Sequence, residues 1–189
     1  MAYISLEDCL QDLERNGHLI RIKEEVDPYL EMAAIHLRVF EAGGPALLFE
    51  NVKGSKFRAA SNIFGTLERS EFIFRDSLKT VQKLIELKDD PVKAIKSPFK
   101  NLSAGIAALK ALPKKNPVSK PVLFEEIKIT DLPQIHHWPK DGGAFVTLPQ
   151  VYTEDMDKLG IMNANLGMYR IQLSGNDYEP GKEAGLHYQ

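Results

Sequence analysis

Residues 113–121, Pro-Lys-Lys-Asn-Pro-Val-Ser-Lys-Pro, divide this sequence. Three prolines so closely spaced fix φ and remove backbone donors, so the stretch reads as an extended linker and not a helix. The hydrophobic period differs on its two sides. Upstream, apolar residues recur at helical spacing between short alternating runs. Downstream they alternate with period 2. The spacing therefore predicts a helix-and-strand domain over residues 1–112, the linker at 113–121, and a β-rich segment over residues 122–189.

The first half reads as a sequence of helices and strands. Ser5 and Asp8 form a capping-box pattern ahead of Leu6, Cys9, Leu10 and Leu13, which share one helical face. Asn16-Gly17 stops this helix, and Cys9 reads as a small core residue, not a nucleophile. His18–Lys23 alternates as a strand. Asp27-Pro28 predicts a second helix with Leu30, Ala33, Ala34, Leu37 and Phe40 or Glu41 on its stripe, ended by Gly43-Gly44-Pro45. His36 falls on it as a surface or core-edge residue. Two strands follow, Ala46–Val52 and Phe57–Ser61, joined at Lys53-Gly54-Ser55. Leu78, Val81, Leu84 and Ile85 mark a further helix. Asp90-Pro91 opens a short one, and Ser103 caps a last one to Leu112.

Beyond the linker, Val122–Ile129, Ala144–Tyr152 and Asn165–Leu173 read as strands. Asp141-Gly142-Gly143 and Ser174-Gly175-Asn176 read as turns. Gly185–Gln189 reads as the start of another strand, leaving a sheet edge with unpaired backbone groups.

Composition excludes several classes. The chain has 189 residues, 43% hydrophobic and 26% charged, with a net charge of −2. That profile is globular and gives no electrostatic reason to expect a nucleic-acid partner. The seven lysines between Pro91 and Phe124 lack interleaved aromatics and read as a solvated surface. A single cysteine excludes an internal disulfide framework and a multi-thiolate zinc site. No apolar run approaches the roughly 20 residues of a membrane span. The acidic first residues do not resemble a signal peptide, so a cytoplasmic location is expected.

Phosphate loops, dinucleotide fingerprints and hydrolase elbows are absent. His136-His137 is a poor metal pair, because neighbours on extended backbone point to opposite faces. The segment 163–170, Asn-Ala-Asn-Leu-Gly-Met-Tyr-Arg, holds more chemistry. Its glycine lets a flat ligand approach the backbone. Asn165 offers an oxygen suited to a hard divalent ion, and Arg170 offers a fork of donors for a carboxylate or phosphate.

Several blocks in order resemble the UbiD-type decarboxylases, the family of 3-octaprenyl-4-hydroxybenzoate carboxy-lyases. They are residues 43–52 (GGPALLFENV), 62–66 (NIFGT), 138–149 (WPKDGGAFVTLP), 165–170 (NLGMYR) and 185–189 (GLHYQ). The resemblance implies an α+β protein, with an N-terminal α/β domain followed by an incomplete flavin-binding split β-barrel over 122–189. It implies non-oxidative decarboxylation of an aromatic or α,β-unsaturated carboxylic acid on prenylated FMN, as in ubiquinone biosynthesis. Mn2+ or Mg2+ and K+ would sit at the flavin phosphate. By the same resemblance Asn165 is a metal ligand, Leu166, Gly167, Met168 and Tyr169 lie against the flavin, and Arg170 is the catalytic arginine and a cofactor contact. His187 falls near the substrate pocket.

The family's other metal ligands, the two glutamates of its catalytic network and its C-terminal domain have no counterpart here. The resemblance therefore implies an N-terminal portion, expected to be inactive and weak in flavin binding alone. It would be completed by the remainder of a decarboxylase chain or by a complementing polypeptide, and homo-oligomeric assembly is compatible with it. The alternative from the residues is a non-catalytic module that binds a flavin or a partner through its open sheet edge.

Overall fold

Ser5 starts the first helix as its sequence requires. Its hydroxyl accepts from the Asp8 backbone N–H, and the Asp8 carboxylate accepts from the Ser5 N–H, both at 3.1 Å. The resulting helix α1 (Leu6–Arg15) buries Cys9, Leu10 and Leu13. Leu6 is left 59% exposed, one turn too early to reach the sheet. The computed structural model describes residues 3–89, 106, 109 and 125–187. The helix expected from Asp90, all of the one ending at Leu112 but Ile106 and Leu109, the linker, the first residues of the 122–129 strand, and Tyr188 and Gln189 lie outside the described residues.

Strand β1 (Leu19–Val26) runs parallel to β2 (Ala46–Val52), and β3 (Ala59–Ser61) closes the sheet antiparallel to β2. Central β2 buries Ala46, Leu47, Leu48, Phe49 and Val52, the near-continuous apolar run of a strand covered on both faces. On one face Cys9, Leu10, Leu13, Leu19, Ala46 and Leu48 pack together with Phe72 and Ile73 against them. On the other, Val26, Met32, Leu47, Phe49 and Val52 pack with Ile35, Val39 and Ile135.

Two helices differ from expectation. Helix α2 spans Glu31–Glu41, three residues later than Pro28 suggests. The backbone of Pro28 and Leu30 is instead bonded to His136, and Leu30 takes φ +65°. Its buried side is Met32, Ile35 and Val39, while Leu37 and Phe40 are 40% and 49% exposed. A helix unread in the sequence, α3 (Leu67–Ile73), starts at Thr66, whose hydroxyl accepts from the Arg69 N–H. Helix α4 (Leu78–Asp89) stands where expected.

The second half breaks two of its three expected strands into pairs. A single 3-10 turn, Ile129–Asp131, and irregular chain occupy the described part of 122–129. The 144–152 run becomes β4 (Phe145–Val146) and β5 (Gln150–Glu154). Pro149 between them has no N–H to give, and its carbonyl accepts from Tyr169. The 165–173 run becomes β6 (Ala164–Met168) and β7 (Arg170–Gln172), which change partners at Tyr169. Strand β7 lies between β4 and β8 (Gly185–His187), and β5 pairs with β6 alone.

Both expected glycine turns form, and they meet. A Cβ on Gly143 would lie 1.6 Å from the Ser174 carbonyl oxygen, and one on Gly175 would lie 1.6 Å from that of Gly142. The two loops close only because these positions lack side chains.

Candidate functional site

Register decides which side chains converge. Phe145 stands opposite Gln172, and Arg170 opposite His187. Residues directly opposite, and those two apart on a strand, share a face. Phe145, Arg170, Gln172 and His187 therefore form one surface. The Arg170 guanidinium lies 4.3 Å above the Phe145 ring, and His187 meets the edge of that ring at 5.6 Å.

Gln172 is 1% exposed and fixes this surface from beneath. Its amide Nε2 donates to the Ser174 carbonyl at 3.0 Å, which orients the carboxamide. Its Oε1 accepts from Asn176 Nδ2 at 3.3 Å and faces His187 Nε2 at 3.1 Å. An amide oxygen can only accept, so Nε2 of His187 carries hydrogen, and in the uncharged ring Nδ1 is the acceptor.

Arg170 opens into a cleft of about 170 Å3 lined by His137, Trp138, Asp141, Phe145, Thr147 and itself. It makes no ion pair or hydrogen bond to the described residues. A guanidinium held flat on an aromatic ring, with its donor edges free, is an anion receptor. Asp141 shares the cleft, but its Oδ2 accepts from the backbone N–H groups of His137 (3.3 Å) and Trp138 (3.1 Å). Burial holds the His137 imidazole below the usual histidine range. The Asp141 charge opposes that shift, and His36, Arg170 and His136 reinforce it.

The other candidates lie on the β5–β6 hairpin. Asn165 Nδ2 donates to the Tyr169 hydroxyl at 2.7 Å. Gly167 lies under that ring, where a Cβ would come within 2.6 Å of it. Leu166 and Met168 point to the opposite face, 63% and 65% exposed, with Tyr152 across from Leu166. Arg170 and His187 are thus brought together, whereas Asn165 is not among the cleft residues.

An exposed apolar strand face suits a flat ring system such as a flavin. A divalent ion takes about six oxygen donors. Asn165 supplies one, and the described residues bring no three of His, Cys, Asp or Glu together. These residues do not by themselves make a metal site. His136 and His137 diverge as expected: His136 packs on Tyr29, while His137 enters the cleft. The roles of His137, Asp141 and Thr147 were not read from the sequence, although all but His137 lie in its 138–149 block. The available signal was an aspartate placed to accept from the N–H groups just before it.

Two family models match the chain in succession. The family model of the 3-octaprenyl-4-hydroxybenzoate carboxy-lyase N-terminal domain matches residues 10–88, and that of its Rift-related domain matches 110–189. A Chlamydia trachomatis protein is 40% identical over 98% of this chain and 31% of its own length. A Chlamydia pneumoniae protein, named as one component of a 4-hydroxybenzoate decarboxylase, is 38% identical over 90% of this chain and 28% of its own. Among solved structures, vanillic acid decarboxylase of Sedimentibacter hydroxybenzoicus superposes with a TM-score of 0.71 at 22% identity, covering all of this chain and 39% of that one. The UbiD-class enzyme HmfF of Pelotomaculum thermopropionicum, solved with prFMN, gives 0.67 at 23% identity, covering 99% of this chain and 39% of that one. The chain spans about a third of the length of the first of these relatives. Two consecutive domain models of one family, and relatives of that family along nearly the whole chain, place it in the UbiD family of 3-octaprenyl-4-hydroxybenzoate carboxy-lyases, as an N-terminal portion.

Proposed function

We propose that this chain supplies the N-terminal domain and the first part of the flavin-binding split barrel of a prenylated-FMN-dependent decarboxylase. Its substrates are aromatic or α,β-unsaturated carboxylic acids. The observation that carries the reading is the unpaired Arg170 guanidinium, stacked on Phe145 at the mouth of a cleft. Its fork matches a carboxylate with two parallel N–H donors and fixes the bond to be broken. The prenylated flavin, when bound, supplies the electron sink that decarboxylation needs. The exposed side of Leu166 and Met168 gives its ring an apolar wall. His187, with Nδ1 free to accept, borders the same surface and can orient a substrate hydroxyl.

The remaining metal donors and acidic groups would come from the rest of a decarboxylase chain or from a partner polypeptide. Isolated, the 189 residues would not turn over. The exposed Leu159, Met162, Leu166 and Met168 favour a second reading, a module that docks a partner through the β5–β6 hairpin.

The decisive experiment loads the complete enzyme with prenylated FMN and measures CO2 release from aromatic and unsaturated acids. Arg170→Ala is expected to lower kcat/KM at least 100-fold. Arg170→Lys keeps the charge without the fork and should recover only part of it. Absence of CO2 release from every acid overturns the decarboxylase reading.

A further inference from the structure

The cleft beside Arg170 contains one group that neither the carboxylate contact nor the flavin wall uses. His137 is half-buried there, and neither of its ring nitrogens is bonded to a described residue. Its ring nitrogens stay open to water, which a ligand hydroxyl can replace. Trp138 and Phe145 form the apolar walls, and Arg170 supplies the positive charge. The Asp141 carboxylate is engaged by two backbone N–H groups. An acid bound through its carboxylate at Arg170 therefore lays its ring between apolar walls, with His137 and Thr147 as the uncharged polar groups left to meet it.

Size limits the occupant. Drug-sized ligands occupy pockets of about 300–1,000 Å3. A cavity of about 150 Å3 takes up one benzene ring. The 170 Å3 cleft corresponds to a single substituted ring.

We propose that His137 is a specificity-determining residue whose imidazole hydrogen-bonds a ring hydroxyl of a single-ring aromatic acid, while Arg170 holds the carboxylate. The assignment rests on the decarboxylase reading for its choice of an acid. The groups facing His137 are Asp141, Arg170, His36 and His136; burial, opposed by Asp141 and aided by the other three, favours the uncharged ring. An uncharged imidazole both donates to and accepts from a hydroxyl. It does not compete with Arg170 for the carboxylate.

Trp138 is the only tryptophan of the chain and lines this cleft, so its fluorescence reports binding without turnover. Benzoate and 4-hydroxybenzoate are titrated into the 189-residue chain and into His137→Leu, His137→Gln and Thr147→Val. The wild type is expected to bind 4-hydroxybenzoate about tenfold more tightly than benzoate, the factor one hydrogen bond supplies. His137→Leu should erase that preference while benzoate affinity stays within about twofold. His137→Gln should keep part of it, and Thr147→Val should keep it all. No binding of either acid, no preference in the wild type, a preference that survives His137→Leu, or one that moves with Thr147→Val overturns the assignment. Should His137→Leu fail to fold, an undiminished preference in His137→Gln overturns it equally. A preference in binding without CO2 release by the complete enzyme sinks the decarboxylase reading and leaves His137 in its role.

Discussion

Arg69 is 3% exposed and makes no ion pair among the described residues. Its guanidinium instead donates to the carbonyls of Ile63 (3.0 Å), Gly44 (3.0 Å) and Asn62 (2.7 Å). It thereby ties the loop after α2 to the start of α3. Asn62 completes the knot at φ +57°, donating through Nδ2 to Gly44 and Pro45. Arg69→Ala would leave the Ile63 carbonyl without a donor, and the Gly44 and Asn62 carbonyls with only those of Asn62 Nδ2 and the Gly65 N–H. It should cost about 1–3 kcal/mol in urea denaturation, the cost of one orphaned buried group. A loss under about 1 kcal/mol would show that water replaces the guanidinium. Asp12 makes a titrating contact. It accepts from the Tyr3 hydroxyl and from Arg75, each at 2.7 Å, and these two bonds hold its carboxyl below the usual value of 3.8. A carboxyl lowered by folding stabilises the fold above its unfolded pKa and loses that effect as pH falls through its folded one. Asp12→Asn should therefore cost about 1–2 kcal/mol at pH 7. The difference from wild type should shrink as pH falls below about 4 in parallel denaturant titrations.

Among the elements, the paired turns at 142–143 and 174–176 set the site most directly. They hold β4 against β7, and so Phe145 beneath Arg170. Gly143→Ala forces a Cβ into the Ser174 carbonyl, a contact that only backbone movement relieves. The expected result is a loss of about 2–4 kcal/mol, a Tm fall of roughly 5–15 °C for a chain of this size, with weaker Trp138 quenching by aromatic acids. An unchanged Tm would mean the loops separate freely. The helices show how far local pattern reaches. Ser5 and Asp8 were legible as a cap because the capping bonds are local. The start of α2 was not, because the backbone near Pro28 is bonded to His136, more than a hundred residues away. Nor was α3, whose short apolar pattern became a helix through its Thr66 cap and the buried Arg69 side chain.

At the scale of the molecule, the two halves share a core. Ile135 packs among Val26, Met32 and Phe49, Tyr29 bridges His136, and Ser55 donates to the Asp131 carbonyl at 2.7 Å. Unfolding followed by Trp138 fluorescence should therefore coincide with unfolding followed by far-UV circular dichroism, most of whose helix lies in the first half. Separate midpoints would show that the halves unfold independently. No helix among the described residues is long and apolar enough to cross a membrane. The amino-acid sequence alone determined the mixed first half, the β-rich second half, the turn glycines and the family. Those features are written in periodicity, caps and blocks of contiguous residues, which act over a few positions. Only the tertiary structure decided that the long apolar runs break at Pro149 and Tyr169, and that Arg170 rests on Phe145. It also decided that His137, not Asn165, shares the arginine's cleft. Strand register and cross-sheet packing join residues distant in sequence, and no local pattern encodes which face such a residue meets.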